Sequence, residues 1–412
     1  MKQYVIIGNG VAAAGCIEGI RSVDSEGGIT VISAEKHPVY CRPLISYYLE
    51  NKTDLQRMHY RGASFYQDNH AEVIYGRTVS AIDKDAKQVT LDNGDTLHYD
   101  ALCCCTGSSP FVPPMQGLDT VQHKFNFMTI DDSLALEQAV TPESKVLIIG
   151  AGLIGLKCAE GLHNRVKQIT VCDLAPRVLS SILDDTCAAM MQKHLEANGI
   201  SFILGTSAKE FSGSHVTMQN GTELDFDVLV LAVGVRANTA LVKDAGGNVN
   251  RGIAVDDACR TSLADIYAAG DCTEYHDISS DSVKVMALMP NAYMQGHTAG
   301  VNMAGGEAVF DNAIPMNSIG FFGFHCHTAG SQPEGCEMYE EADETHIKRL
   351  FIKDDRLTGF MLLGHMHRTG IYTALIRNKT PLSSVDFDRL RIEPQLSALG
   401  SAYRDKVLKG AV

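Results

Sequence analysis

Two glycine-rich segments contain the residues whose types and spacing are best suited to chemistry, namely the binding of phosphate groups. Each has three small residues at one spacing: Gly8, Gly10 and Ala13 in the first, and Gly150, Gly152 and Gly155 in the second. The first glycine permits a tight turn, the second lets the backbone approach a pyrophosphate, and the third small residue lets a helix pack on a strand. The following helix would direct its N-terminal N–H groups at the phosphates. Two such segments predict two bound dinucleotides.

An acidic residue follows each glycine-rich segment at the end of another predicted strand. Glu35 ends the run I-T-V-I-S-A-E, and Asp173 ends the run I-T-V-C-D. A carboxylate at this place accepts hydrogen bonds from ribose hydroxyls. Asp173 would also repel a 2′-phosphate and so favours NADH over NADPH, although the nearby Arg177 opposes that preference. Two dinucleotides in one chain indicate electron transfer from a nicotinamide to a flavin.

The elements that must position these residues occur twice. Each glycine-rich segment follows a short apolar run, typical of a buried parallel strand, and opens a helical pattern. Residues 89–107 and 216–234 also repeat one another, because each has an Asn-Gly hairpin signal followed by an Asp and a Gly at the same spacing. The repeated residues are Asn93, Asp100 and Gly107 in the first copy, and Asn220, Asp227 and Gly234 in the second. The repeat predicts two related nucleotide-binding domains.

We expect an α/β fold in which one Rossmann-like domain is inserted into another. The first would comprise residues 1–109 and 241–313 and the second residues 110–240; the family resemblance given below implies that they are the FAD-binding and the NAD(H)-binding domain, respectively. The segment that returns to the first domain supplies a strand ending at Gly270-Asp271.

The last part of the chain has a different pattern. A helix predicted from about Asn291 ends at a glycine pair at 305–306. From Ile314 onward, strands and a short helix predict a small α+β interface domain over residues 314–412. Its aromatic run at 321–324 would cover the flavin, form a partner interface or pack in a core.

Composition limits the possible function classes. The chain has 412 residues, 45% of them hydrophobic, and a formal net charge of −14, which suits two or three domains. A nucleic-acid-binding protein would need a basic stripe, so we expect no nucleic-acid partner. No apolar run approaches the roughly 20 residues of a membrane span, and the N-terminus has no signal-peptide pattern. We therefore expect a cytoplasmic protein without a membrane span.

Twelve cysteines are present, but none of them forms a C-x-x-C pair. The three cysteines at 103–105 are consecutive in a predicted strand, whose alternating side chains cannot all face one metal. The H-C-H pattern at 325–327 and the H-x-H pattern at 365–367 lack a second pair of ligands. We expect no metal site, and interpret the thiols as small core residues in a reducing compartment.

The chain resembles the FAD-dependent pyridine nucleotide-disulphide oxidoreductases, in particular the branch of NADH:rubredoxin reductases, nitrite reductase flavin domains and ferredoxin-reductase-like enzymes. The matching segments, in family order, are G-N-G-V-A-A with Glu35, Y-C-R-P-L-I-S at 40–46, T-G-S-S-P-F-V-P-P at 106–114, G-A-G-L-I-G with Asp173, A-V-G-V-R-A-N at 232–238 and D-I-Y-A-A-G-D-C at 265–272. The resemblance covers essentially the whole chain. It implies a fold of the glutathione-reductase type, with FAD and NADH as cofactors.

The resemblance also implies roles for individual residues. Those expected to contact FAD are Glu35 at the adenosine ribose, Arg42 and Pro43 at the pyrophosphate and the ring approach, Thr106 and Gly107 through their backbone, and Asp271 at the ribityl chain. Gly234 and Gly270 lie in matching segments and are expected to contact the cofactors. The helix near Asn291 would direct its N-terminus at the pyrimidine edge of the flavin, where it would stabilise negative charge.

The chain departs from many relatives at two linked positions. Those relatives have a Lys after the R-P-x-x-S stretch and a Glu after the G-x-x-G-x stretch, and the two form an ion pair beside the flavin. Here Tyr47 follows Ser46, and Lys157 follows Leu156. We hypothesise that Lys157 supplies the positive charge from the opposite side, near the nicotinamide–flavin contact, while Tyr47 fills the vacated space. The alternative is that Lys157 extends from its helix to solvent.

Cys41 lies close to the position at which disulphide, peroxide and oxygen reductases of the family carry a redox cysteine. A nucleophilic cysteine needs a lowered pKa and a partner group. The peroxidase relatives have a His just after the first glycines, where this chain has Val11. Because the Y-x-R-P context belongs to the electron-transfer branch, we interpret Cys41 as structural.

These features predict an NADH oxidoreductase that passes electrons through FAD to a redox protein such as rubredoxin, ferredoxin or an iron–sulfur subunit. No acid, base or nucleophile is required for the hydride step, because the protein mainly positions and tunes the cofactor. Two alternatives stay open. One is a thiol, peroxide or oxygen reductase that uses Cys41, and the other is a flavoprotein subunit that works only within a larger redox complex.

Overall fold

The structure, a computed structural model, describes residues 1–364 and 367–401. Its strands, numbered along the chain, are β1 Gln3–Ile7, β2 Gly28–Ser33, β3 Ala71–Tyr75, β4 Val79–Asp83, β5 Gln88–Leu91, β6 Thr96–His98, β7 Ala101–Cys104, β8 Ser108–Pro110, β9 Lys124–Phe125, β10 Lys145–Ile149, β11 Gln168–Asp173, β12 Ile200–Leu204, β13 Ala208–Ser212, β14 His215–Met218, β15 Glu223–Asp225, β16 Val228–Leu231, β17 Val235–Ala237, β18 Ile253–Ala254, β19 Ile266–Ala268, β20 Thr273–Asp277, β21 Ser282–Val285, β22 Met316–Phe321, β23 Phe324–Gly330, β24 Glu337–Ala342, β25 Ile347–Lys353 and β26 Arg356–Leu363. Its helices are α1 Val11–Arg21, α2 Ile45–Leu49, α3 Phe65–Asp68, α4 Ile130–Ala139, α5 Leu153–Leu162, α6 Asp185–Ala197, α7 Ala240–Asp244, α8 Met289–Met303, α9 Gly370–Arg377 and α10 Phe387–Ile392.

Five parallel strands form the first large sheet, in the order β19-β7-β1-β2-β3. The central strand β1 pairs with β2 from Gln3 opposite Gly28 to Ile7 opposite Ile32, and with β7 on its other side. The apolar runs of β1 and β7 are almost entirely buried, as is usual when helices cover both faces of a parallel sheet. The strand β19 comes from a later part of the chain, so this unit is discontinuous in sequence.

A second parallel sheet repeats this arrangement, with the order β12-β11-β10-β16-β9. Its central strand β10 pairs with β11 and β16, as β1 pairs with β2 and β7. The strands of this sheet lie in sequence between β8 and β17, whereas those of the first sheet lie before β8 or after β17. The prediction of two Rossmann-like units, one inserted into the other, is confirmed.

Each repeated hairpin segment is joined to the parallel sheet of its unit by the same kind of contact. The hairpins β5–β6 and β14–β15 belong to matching three-stranded antiparallel sheets. Their turns contain Gly94 and Gly221, with φ values of +88° and +86° that only glycine adopts readily. Asp100 Oδ2 accepts a hydrogen bond from the first N–H of β1, and Asp227 Oδ2 from the first N–H of β10, each at 2.7 Å. The repeat predicted from the sequence is therefore also present in the structure.

The chain divides into two compact units. The first comprises Met1–Glu274 and Met289–Val309, and contains both parallel sheets. The second comprises Tyr275–Leu288 with the described residues from Phe310 onward, and is built on an antiparallel sheet in the order β22-β23-β26-β25-β24. The predicted borders between the two nucleotide-binding domains fall inside the first unit and stay a prediction.

The second unit has its own core, in which α9 buries Tyr372, Leu375 and Ile376 with Leu350 and Phe360 of the sheet. This matches the expected small α+β domain. The aromatic run at 321–324 forms the turn between β22 and β23, where the first phenylalanine is fully buried. In the described part of the chain, no helix is both long enough and apolar enough to cross a bilayer.

Candidate functional site

The two glycine-rich turns have the same local geometry. Gly8 and Gly150 have φ values of +103° and +119°, and a Cβ at either would lie within 2.2 Å of a carbonyl oxygen, that of Cys105 or Ala232. A side chain is therefore excluded at both positions. By contrast, a Cβ at Gly10 would meet nothing within 4 Å, and the same holds for Gly152. These second glycines leave the backbone open to an incoming group at the N-termini of α1 and α5, and so fit a dinucleotide pyrophosphate.

The third small residue differs between the two turns. Ala13 is fully buried and fits without displacement, whereas a Cβ at Gly155 would lie 1.9 Å from the Gly150 carbonyl oxygen. The first helix can therefore tolerate a methyl group at this position, and the second cannot.

Helix α8 crosses α1 closely enough that four glycines are required, a contact that the sequence reasoning missed. A Cβ on any of them would lie within 2.4 Å of backbone oxygen on the facing helix; they are Gly15 and Gly19 on α1, and Gly296 and Gly300 on α8. The signal was present, because each helix has a G-x-x-x-G pattern that places both glycines on one face. This crossing fixes α8 against the first glycine-rich turn. Asn291 is fully buried in the first turn of α8.

Glu35 lies at the predicted ribose position and is held by two neighbours. Its carboxylate pairs with the Arg42 guanidinium and accepts a hydrogen bond from the Tyr40 hydroxyl at 2.7 Å. Arg42 also donates to the Met128 carbonyl oxygen at 3.1 Å, and Pro43 beside it is exposed. Burial above all raises the pKa of the Tyr40 phenol, so Tyr40 stays a hydrogen-bond donor to Glu35.

Asp271 is a second carboxylate on which the charge of Arg42 acts. Burial raises the pKa of its carboxyl, while the charge of Arg42 and a 3.4 Å hydrogen bond from Ser108 act in the opposite direction. Gly270, just before it, has a φ of +85° and donates its N–H to Gln295 Oε1 at 2.9 Å. The buried Nε2 of Gln295 has no hydrogen-bond partner among the described residues. The Asp271 carboxylate can accept further hydrogen bonds and the Gln295 amide has an unused donor, so both suit a polar ligand at this site.

Thr106, Gly107 and Gly234 lie where the chain passes between the two parallel-sheet units. Gly107 and Gly234 both have positive φ, at +62° and +113°. The Thr106 hydroxyl donates to the Asn238 carbonyl oxygen at 2.7 Å. Asn238 stood at the end of a matching segment, but the sequence reasoning assigned it no role.

Asp173, the counterpart of Glu35, holds two loops of the second unit together. Its two carboxylate oxygens accept from the backbone N–H of Ala151 at 2.6 Å and of Ala175 at 2.7 Å. Ala151 lies between the first two glycines of the second turn, so the carboxylate is fixed beside the predicted phosphate site. Arg177 points elsewhere, because it pairs with Asp185 at 2.8 Å and donates to the Leu183 carbonyl oxygen.

The side chain of Lys157, on α5, lies against α2 rather than in solvent. Its side chain is 12% exposed and forms an ion pair with Glu160, whose side chain is 5% exposed. Its ammonium lies 4.6 Å from the centre of the Tyr47 ring on α2. The two helices pack tightly here, since a Cβ at Gly161 would lie 3.1 Å from the Ser46 carbonyl oxygen. The K-x-x-E spacing that makes the ion pair is visible in the sequence, but the sequence reasoning did not use it.

Cys41 lies in the loop that leads to α2. Its Sγ is 3.9 Å from the Met289 Sδ. Burial raises the pKa of the Cys41 thiol, against a smaller lowering by the Leu44 N–H.

The other thiols and imidazoles singled out in the sequence differ in their burial. Residues 103–105 are all buried, and burial raises the pKa of the Cys104 thiol well above its usual value. In the H-C-H pattern, His325 is exposed while Cys326 and His327 are buried. His365 of the H-x-H pattern lies outside the described residues. Within the described ranges, no three His, Cys, Asp or Glu side chains are grouped so as to hold a metal ion.

Comparison with known proteins identifies the family. Residues 2–296 match the family model described as pyridine nucleotide-disulphide oxidoreductase. The chain is 30% identical over 392 residues to the NADH-dependent phenylglyoxylate dehydrogenase subunit epsilon of Aromatoleum evansii, covering 92% of this chain and 93% of that one. It is also 30% identical over 393 residues to the nitrite reductase [NAD(P)H] of Bacillus subtilis strain 168, covering 93% of this chain but only 48% of that one. The chain thus spans about half the length of the latter relative.

A solved structure shows the same fold. The crystal structure of a covalent putidaredoxin reductase–putidaredoxin complex matches with a TM-score of 0.86 and 22% identity, covering 100% of this chain and 99% of the matched chain. The two glycine-rich turns, at residues 8–13 and 150–155, are called the first and second cradle below. Together with these cradles, the matches assign the enzyme class and the cofactors, FAD and NADH. The chain belongs to the pyridine nucleotide-disulphide oxidoreductase family, and it is an NAD(P)H-dependent flavoprotein oxidoreductase.

Proposed function

We propose that this chain oxidises NADH and delivers the electrons, one at a time, to an iron or iron–sulfur redox protein. FAD, when bound, supplies the chemistry, because it accepts a hydride from NADH and can release the two electrons singly. The chain's own residues bind and orient the two nucleotides. The observation that carries the proposal is the doubled cradle, in which Gly8 and Gly150 make identical turns and Gly10 and Gly152 leave identical openings.

We assign FAD to the first cradle, with residues 1–109 and 241–313 as its domain. The support is the group of polar side chains that converge there: Glu35 for the ribose hydroxyls, Arg42 for the pyrophosphate and Asp271 for the ribityl hydroxyls. Arg42 is suited to neutralise phosphate charge, since its guanidinium pairs with Glu35 and its charge also acts on Asp271. In the bound state it would exchange part of its pairing with Glu35 for the phosphate, because guanidinium binds both groups well.

We assign NADH to the second cradle, in residues 110–240. Asp173 supports this, because its oxygens are fixed by two backbone N–H groups while their remaining lone pairs can accept from ribose hydroxyls. The ion pair between Arg177 and Asp185 supports NADH over NADPH, since it directs the nearby guanidinium away from a 2′-phosphate.

Lys157 is proposed to lie where the nicotinamide meets the flavin. Its helix α5 begins at the second cradle, and its contact Tyr47 lies on α2, just after the FAD-binding loop of Arg42. Glu160 largely balances the charge of the nearly buried ammonium, so the pair would present a local dipole at this junction, in surroundings where charges are poorly screened.

Thiol, peroxide and oxygen reduction through Cys41 is disfavoured by the surroundings of that thiol. A nucleophilic cysteine needs a lowered pKa, whereas burial raises the pKa of Cys41. Anaerobic assays of the holoenzyme with NADH and a panel of acceptors test the proposed function. We expect reduction of rubredoxin or a [2Fe–2S] ferredoxin, unchanged in Cys41→Ser. Activity confined to peroxide or disulphides, and lost in Cys41→Ser, would overturn the proposal.

A second candidate function is that of a subunit within a larger redox complex. It is favoured by the similarity to the phenylglyoxylate dehydrogenase subunit epsilon, which extends over 93% of that chain. In this case residues 314–412 would provide the interface. Purification of the tagged chain from its native cells tests this, because a stable complex would bring an iron–sulfur subunit with it in a fixed ratio.

The twelve cysteines support a reducing compartment, which we propose to be the cytoplasm. Ten of the twelve are buried, as is typical of cysteines that serve as small core residues in a reducing compartment.

A further inference from the structure

Two short strands carry the chain between its nucleotide-binding halves. The outgoing strand β8 and the returning strand β17 pair as an antiparallel ribbon, with Ser108 opposite Ala237 and Pro110 opposite Val235. The Phe111 N–H continues the pairing by donating to the Gly234 carbonyl oxygen at 2.9 Å. The position of one half relative to the other is therefore set at this ribbon.

Asn238 closes the ribbon at the end nearest the first sheet. Its backbone N–H donates to the Gly107 carbonyl oxygen at 2.9 Å, and its carbonyl oxygen accepts from the Thr106 hydroxyl at 2.7 Å. Its side chain adds two more hydrogen bonds, since Nδ2 donates to the Thr106 carbonyl oxygen and Oδ1 accepts from the Ser109 hydroxyl, both at 2.8 Å. Asn238, just after the returning strand, thus makes four hydrogen bonds to residues 106–109.

The segment that Asn238 holds is the one expected to pass closest to the flavin. Thr106 and Gly107 form the turn between β7 and β8, and Gly107 needs its positive φ for that turn. The next residue, Ser108, donates to Asp271 at the proposed ribityl site. Asn238 is thereby linked, through Thr106 to Ser108, to the FAD side of the molecule, and through β17 to the nicotinamide side.

We infer that Asn238 is a positioning residue for hydride transfer: it fixes the Thr106–Gly107 turn to the returning crossover, and so sets the approach of the nicotinamide to the flavin. The inference rests on the proposed function. Hydride transfer needs the reacting atoms about 3–3.5 Å apart, and a displacement of about 1 Å can cost on the order of a hundredfold in rate. An amide side chain is suited to this, because it donates to one residue of the outgoing strand and accepts from another.

The test compares Asn238→Ala with a matched control, Asn302→Ala. Asn302 also makes three side-chain hydrogen bonds to backbone groups in the same compact unit, to Ala258 and Ala308, but at the far end of α8. Both variants lose an internally bonded amide, so a general loss of stability should appear in both. Asn238→Asp serves as a second variant, since it keeps the acceptor for Ser109 but loses the donor to Thr106.

Two readouts are needed. Anaerobic rapid mixing of the holoenzyme with NADH gives the limiting rate of flavin reduction and, separately, the NADH dissociation constant. Hydrogen–deuterium exchange of the apoprotein reports on residues 106–111 without any cofactor. For Asn238→Ala we expect a limiting rate at least tenfold lower, an NADH dissociation constant within about twofold of wild type, and faster exchange at 106–111.

We expect Asn302→Ala to keep the wild-type rate and the wild-type exchange at 106–111. A limiting rate in Asn238→Ala no lower than in Asn302→Ala would overturn the inference, as would a loss explained entirely by weaker NADH binding. If NADH fails to reduce the wild-type flavin, the proposed function fails instead. The exchange measurement on the apoprotein would then still decide whether Asn238 anchors the turn.

Discussion

The ammonium of Lys157 lies over the ring of Tyr47, 4.6 Å from its centre, and forms an ion pair with Glu160 on the same helix. Lysine at this position therefore does not extend to solvent. The ring contact joins α5, which follows the second cradle, to α2, which follows the Arg42 loop. A nearly buried charge pair is costly to desolvate, and replacing both partners by uncharged side chains tests whether it serves the reaction.

Removing this pair should slow the reduction of the flavin by NADH. Replacing one partner alone would leave an unpaired buried charge and cost about 3–5 kcal/mol of stability, so the informative variant is Lys157→Met with Glu160→Gln. We expect a limiting rate about tenfold lower in anaerobic stopped-flow. The matched control is Lys167→Met with Glu143→Gln, an exposed pair with side chains 60% and 82% accessible. Equal rates in the two double variants would exclude a role for Lys157.

Substitutions of Gly8 and Gly10, the first and second glycines of the first cradle, should impair different properties of the protein. Gly8→Ala places a methyl group 2.1 Å from the Cys105 carbonyl oxygen at a positive φ, so we expect the apoprotein to lose more than about 3 kcal/mol of stability or not to fold. Gly10→Ala meets no protein atom within 4 Å. We expect it to unfold at the wild-type temperature but to bind FAD at least tenfold more weakly, measured by fluorescence titration. Wild-type FAD affinity in Gly10→Ala would place the pyrophosphate elsewhere.

Asp173→Asn should weaken NADH binding selectively. A hydrogen bond to a charged group contributes about 1.5–3 kcal/mol, so we expect the NADH dissociation constant to rise at least tenfold, with a much smaller change for NADPH. Asp119→Asn is the control, because it removes an exposed carboxylate that has no role in the proposed site. If Asp173→Asn weakened both nucleotides equally, the Asp173 carboxylate would serve only to hold the Ala151 and Ala175 loops.

A pH dependence of stability is expected from Glu18. Burial opposes its ionisation, but hydrogen bonds from Arg61 and Tyr293 prevail and lower the pKa of the Glu18 carboxyl below its usual value. A carboxyl with a lowered folded-state pKa stabilises the protein fully above its unfolded-state pKa, and this contribution is lost as the pH falls through the folded-state value.

Glu18→Gln should therefore lower the free energy of unfolding by about 1–2 kcal/mol near pH 7, with the difference from wild type shrinking below about pH 4.5. Denaturant unfolding of both proteins from pH 7 to pH 3 measures this. Glu72→Gln, at an exposed position on β3, is the comparison and should show little effect at any pH. A Glu18→Gln deficit that stayed constant with pH would contradict the assignment.

Much of the fold could be predicted from the sequence because its signals are local. The glycine spacings, the apolar runs before them and the repeated Asn-Gly turns each act within a few residues, and Asp100 and Asp227 indeed anchor both units alike. Even the α1–α8 crossing had a local signal, in the paired G-x-x-x-G patterns. That these two helices face each other depends on the returning segment, which adjacent residues do not specify.

The contacts of the candidate site were harder to predict from the sequence, because they join residues that are far apart along the chain. The K-x-x-E spacing of Lys157 and Glu160 is local, but the position of the Lys157 ammonium over the Tyr47 ring depends on how α5 packs on α2. The four hydrogen bonds of Asn238 exist only because β8 and β17 meet after more than a hundred residues of inserted domain. Such relationships follow from the topology as a whole.

The most direct test of the account is the stoichiometry of electron transfer by the purified holoenzyme under anaerobic conditions. NADH is added in known amounts to the enzyme with excess oxidised [2Fe–2S] ferredoxin or rubredoxin, and NADH oxidation and acceptor reduction are followed by absorbance. The account predicts two acceptor molecules reduced for each NADH oxidised, by wild type and Cys41→Ser alike. It would be contradicted if NADH did not reduce the bound flavin, or if electrons reached only peroxide or disulphides through Cys41.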